Sequence, residues 1–128
     1  ALHIMDYKTG GVPSAAQVES GLSPQLSLEA AMAEAGGFEN VPKGPVETLT
    51  YLHLAGGEQG GAVKKITEEG SRLAAEALGG LKGLLASYEN ESLPYLSRPR
   101  VQFIGRYSDY DHLARVKEWS ASDGEEGA

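Results

Sequence analysis

Ala1-Leu2-His3-Ile4-Met5-Asp6-Tyr7-Lys8-Thr9-Gly10 is the segment from which the architecture follows. Apolar and β-prone residues run up to Lys8, and Thr9-Gly10-Gly11 is a turn signal, so the segment predicts a strand ending at Lys8. Alternation along a strand puts Asp6 and Lys8 on one face. No turn or polar lead comes before the strand, which predicts that earlier elements of the same domain precede it.

Beyond the turn, Ser14 is an expected N-cap, and Ala15, Val18, Leu22, Leu26, Ala30 and Ala31 recur near helical spacing. Gly21 and Pro24 interrupt that pattern. It therefore predicts a short helix or turn, then a longer helix from about Pro24 with the proline in its first turn, ended by Gly36-Gly37. Val46 to Leu54 is rich in β-branched and aromatic types and predicts a second strand; Val63 to Ile66 predicts a short further strand or edge. A helix is expected from about Thr67, capped by Thr67-Glu68-Glu69, with Leu73, Ala77, Leu78, Leu81, Leu84 and Leu85 as its apolar stripe. Asp109 to Trp119 predicts a short amphipathic helix. Strand, helix, strand, helix is an α/β order, giving a mixed sheet flanked by helices with a crossover between its first strands.

Length and composition bound the rest. The chain has 128 residues, 41% of them hydrophobic, which suits one small domain or most of one over residues 1–120, followed by an acidic, disordered tail over 121–128. It contains no cysteine, so it offers no thiolate for an iron–sulfur cluster, a zinc site or a disulfide, and a reducing, cytoplasmic setting is expected. No apolar run reaches the roughly 18 residues of a membrane span, and no membrane partner is expected. A net charge of −7 argues against a DNA-coating protein, whose affinity grows with the phosphates it neutralises. Local sign differs from the sum, however, because Arg98, Arg100, Arg106, Arg115 and Lys117 gather near the end.

The chemistry centres on the first strand. A carboxylate binds hard cations such as magnesium, and a nearby ammonium holds water or offsets charge on a phosphoryl transition state, so Asp6 and Lys8 can address one phosphate. On physical grounds alone, an acid and a base two apart at a strand end are more often a solvated ion pair. Gln25 stands at the start of the longer helix, where free backbone amides attract anions; it is also an ordinary helix-surface residue. In the last third, Arg98, Arg100 and Arg106 alternate with Tyr95, Phe103, Tyr107 and Tyr110, a pattern for tracking a DNA strand or, alternatively, for packing a terminal segment on the core. His3, His53 and His112 lack zinc-ligand spacing, and no phosphate loop or GxSxG motif occurs.

Asp6-Tyr7-Lys8-Thr9-Gly10 followed by Pro24-Gln25-Leu26 resembles motifs of the RecB-family nucleases of the PD-(D/E)xK superfamily. The closing stretches, Pro94-Tyr95-Leu96-Ser97-Arg98-Pro99-Arg100 and Asp109 to Trp119, look like the C-terminus of the AddB family of alphaproteobacterial type. The resemblance implies a partial restriction-endonuclease-like fold and magnesium-dependent DNA cleavage, with manganese as a substitute, in double-strand break repair. It implies DNA ends and an AddA-type helicase–nuclease subunit as partners. In that pattern Asp6 is a metal ligand, the Tyr7 backbone carbonyl a second, Lys8 the catalytic lysine and Gln25 the glutamine of a Q-x-x-x-Y helix motif. Glu29 stands where that motif has tyrosine. The family's earlier histidine and second metal-binding aspartate are not in this sequence, so the chain by itself is expected to be inactive or nearly so. Strand edges left without their neighbours are expected to favour self-association. The alternative is a structural or partner-docking module of the same complex, with Asp6 and Lys8 as a surface pair.

Overall fold

A computed structural model describes residues 1–56, 60–95 and 113. The chain divides into two units, residues 1–90 and 91–128. All the elements below belong to the first. Arg98, Arg100, Arg106, the helix expected over Asp109 to Trp119 and the tail over 121–128 lie outside the described residues.

Strand β1 spans Leu2–Lys8, and its burial alternates residue by residue. Leu2 and Ile4 pack against the core, while Met5 and Tyr7 point to the opposite, exposed face. The short helix α1, Ala15–Glu19, is opened by Ser14, whose hydroxyl accepts from the Gln17 N–H while the Gln17 side chain accepts from the Ser14 N–H. This reciprocal box satisfies two of the donors a helix start leaves without partners. Helix α2 covers Gln25–Ala35, with Pro24 one residue ahead of it rather than inside its first turn. Its end is built on Gly36, left-handed at φ 81°, and the Gly37 N–H closes onto the Met32 carbonyl at 2.8 Å. Leu26, Ala30 and Ala33 bury the inner face of α2.

Strand β2, Val46–His53, lies between β1 and β3, Ala62–Thr67; it runs parallel to the first and antiparallel to the second. Among the described residues the expected mixed α/β sheet is thus present as three strands in the order β1-β2-β3. Leu49, Thr50 and Tyr51 are all buried, and because successive side chains point to opposite faces, β2 is shielded on both faces there.

Helix α3 spans Gly70–Tyr88 and starts later than the sequence suggests. Thr67 does not cap it. That residue ends β3, and its hydroxyl accepts from the Glu69 N–H at 2.9 Å, so Glu68 and Glu69 lie before the helix instead of forming an acidic first turn. Packing decides the shift. Ile66 is drawn into the core as a strand residue, and α3 begins where a glycine permits contact with β2: a Cβ on Gly70 would stand 2.7 Å from Val46 Cγ1 and 2.8 Å from the Val46 carbonyl oxygen. Of the expected stripe, Leu73 is buried beside Ala74, whereas Leu84 and Leu85 are 54% and 58% exposed. Glu34 ties three elements together. Its carboxylate accepts from the Val46 N–H at 2.9 Å and from the Ser71 hydroxyl, whose oxygen also lies 3.1 Å from the Val46 carbonyl oxygen.

Candidate functional site

Asp6 and Lys8 end β1 on the face covered by α2, and Gln25 is the first residue of that helix. The strand and helix bring the three residues within bonding distance across 17 and 19 positions of sequence. Lys8 Nζ lies 2.9 Å from Asp6 Oδ2 and donates to Gln25 Oε1 at 2.9 Å. Gln25 Nε2 donates to Asp6 Oδ1 at 3.1 Å and to Glu29 Oε1 at 3.1 Å. Beneath them, Tyr51 of β2 is fully buried, and Lys8 Nζ stands 5.7 Å from the centre of its ring, within cation–π range. Asp6 and Tyr51 are partners in the parallel register, which is why the ring underlies the cluster.

The side chains are only partly open to water, with Lys8 29% and Asp6 20% exposed. Asp6 Oδ2 is shielded and receives no well-aligned hydrogen bond; the ammonium 2.9 Å away supplies its compensation. The short 2.9 Å contact with the Asp6 carboxylate is the main cause that raises the Lys8 pKa above 10.5, partial burial opposes it, and the Asp6, Tyr51 and Glu29 charges add smaller contributions. Lys8 is therefore a cation at neutral pH, suited to holding an oxygen ligand and unsuited to removing a proton. Burial pushes the Tyr51 phenol above its ordinary value, with the Lys8 charge opposing, so the phenol stays neutral.

The donor set suits a hard cation in kind. Asp6 contributes carboxylate oxygens, and the backbone supplies a further oxygen. The Lys8 carbonyl accepts from the Leu54 N–H at 2.8 Å, and alternation along a parallel ladder turns the Tyr7 carbonyl to the other side of β1, away from β2. In number the set is small: among the described residues no group of three or more histidine, cysteine, aspartate or glutamate residues is placed to hold a metal ion. His3 is engaged elsewhere, its Nδ1 2.8 Å from the Thr48 hydroxyl.

The sequence pointed to Asp6, Lys8 and Gln25 but not to Tyr51 or to the role of Glu29. Glu29 was legible in principle, because i and i+4 share a helix face and Gln25 and Glu29 have that spacing. Tyr51 was not, because its place depends on the register between β1 and β2. Among the described residues, no helix is long and apolar enough to cross a membrane.

No family model matches the chain, and no solved structure matches it. It is similar to an uncharacterized protein of Rickettsia bellii (strain RML369-C), with 29% identity over 123 residues. That similarity takes in 86% of this chain and 14% of the relative. It is also similar to an uncharacterized protein of Rickettsia typhi (strain ATCC VR-144 / Wilmington), with 42% identity over 53 residues, which are 40% of this chain and 6% of that protein. The chain thus spans a small fraction of the length of the curated relatives it matches.

Proposed function

We propose that this chain contributes half of a magnesium-dependent DNA-cleaving site, in a nuclease that processes double-strand ends together with a helicase subunit. The observation that supports this best is the gathering of Asp6, Lys8 and Gln25 within 3.1 Å of one another at the carboxyl end of β1. Ligands of open α/β sheets commonly bind at that end. The gathering involves the same three residues that resemble the nuclease motif.

In this reading Asp6 and the Tyr7 carbonyl would hold the metal, which supplies Lewis-acid charge for a phosphodiester and lowers the pKa of a bound water. Lys8, as a fixed cation, orients an oxygen of water or phosphate and offsets charge on the transition state. Gln25 holds the Lys8 ammonium through its carbonyl oxygen and the Asp6 carboxylate through its amide nitrogen. With one carboxylate in place of a pair, the chain alone binds metal weakly and is inactive or nearly so.

A second reading, a partner-docking module with no chemistry, is favoured by one feature. Asp6, Lys8, Gln25 and Glu29 bond or pair with one another, as a purely structural surface network would. Asp6→Ala in the complete protein separates the two: cleavage is abolished with DNA binding retained in the first and unchanged in the second.

A further inference from the structure

We infer that Glu29 is a positioning residue that sets the orientation of the Gln25 side-chain amide, and through it the placement of Lys8 against Asp6. The inference rests on the nuclease reading for its catalytic consequence, while its geometric content stands independently.

The two ends of a primary amide are nearly equal in size, so shape alone does not choose between an orientation and its flip. Hydrogen bonding does. In the structure the Gln25 oxygen faces an ammonium, which only donates, and its nitrogen faces two carboxylates, which when ionised only accept. Turning the amide over would set N–H against N–H at Lys8 and oxygen against oxygen at Asp6 and Glu29, losing all three bonds. Glu29 matters because it takes the second N–H, the one that Asp6 leaves over. Without Glu29 that hydrogen goes to water, and the amide is held from Asp6 and Lys8 alone, the groups it is meant to position.

Glu29 is also carried on the same helix as Gln25. It sits one turn after Gln25 on the same helix face, beside Ala30, which is fully buried in the core, so the frame of α2 fixes its position relative to Gln25. Lys8, by contrast, has a flexible stem. Its ammonium lies 2.9 Å from Asp6 Oδ2 and 2.9 Å from Gln25 Oε1, and the second contact holds only while the amide presents its oxygen. In phosphoryl chemistry a displacement of about 1 Å in a positioned group costs on the order of 100-fold in rate, so this orientation is worth controlling.

The test uses side-chain amide NMR of the full 15N-labelled chain as wild type, Glu29→Ala and Glu29→Gln, with cleavage of linear DNA by the complete nuclease carrying the same changes. In the wild type the two Gln25 Nε2 protons should be shifted downfield from those of a solvated amide. In Glu29→Ala one should return to the solvated position, and kcat should fall about tenfold with KM unchanged. Glu29→Gln, whose carbonyl oxygen can accept the same bond, should restore both readouts. Gln25 signals unmoved in Glu29→Ala, failure of Glu29→Gln to restore them, or unmoved kcat beside an inactive Asp6→Ala would overturn the inference. Cleavage retained in Asp6→Ala would instead overturn the nuclease reading, leaving the amide signals to decide the orientation set by Glu29.

Discussion

Lys8 and Glu34 show how the same chemistry, a charged group meeting hydrogen-bond partners, serves different ends in one small chain. At Lys8 the partners are side chains at the rim of the sheet, and the result is a cation with a defined direction. At Glu34 the Ser71 hydroxyl first, and the Val46 N–H second, hold the carboxyl below its ordinary 4.5, with burial opposing. A folded-state pKa below the unfolded one gives stability that is present above about pH 4.5 and lost as the pH falls through the folded value. Urea unfolding followed against pH should therefore show a loss of stability on acidification that is smaller in Glu34→Gln than in the wild type. Near neutral pH, Glu34→Ala should lower stability by about 1–2 kcal/mol, because the Val46 N–H and the Ser71 hydroxyl lose an acceptor. An unchanged urea midpoint in Glu34→Ala would show that water replaces the carboxylate without loss.

At the scale of elements, helix starts carry the clearest expectations. Ser14→Ala removes one arm of the box with Gln17 and should cost about 1 kcal/mol, read as a lower thermal midpoint. Gly70→Ala places a methyl 2.7 Å from Val46 Cγ1 and must push α3 from β2, for about 1–3 kcal/mol; wild-type stability in that variant would mean the contact is looser than described. The two starts also mark how far the sequence could be read. Ser14 was legible because capping is local chemistry between residues three apart. The start of α3 was not: Thr67-Glu68-Glu69 is a good local cap, and a long-range contact between Gly70 and Val46, together with burial of Ile66 in β3, overrides it. Asp6 and Lys8 could be placed on one face from strand alternation alone, whereas their meeting with Gln25 and Tyr51 required the packing of α2 on β1 and the parallel register.

The whole molecule sets the limits of the proposed chemistry. A chain with a net charge of −7 has little to hold DNA by charge alone, so its isolated form should bind linear DNA weakly. One carboxylate and one carbonyl at the end of β1 do not complete a magnesium shell, so the isolated chain should cleave DNA no faster than background when assayed with magnesium. Cleavage by the 128-residue chain alone would mean that Asp6, Lys8 and Gln25 form a sufficient site. The most direct test is magnesium-dependent cleavage of linear DNA by the complete protein, with the proposed helicase subunit added, comparing wild type, Asp6→Ala and Lys8→Ala, with DNA binding measured in parallel. The proposed chemistry predicts losses of about 100- to 1000-fold in cleavage for both variants at unchanged DNA affinity. Cleavage at the wild-type rate in Asp6→Ala and Lys8→Ala would contradict it and leave the cluster a structural brace between β1 and α2.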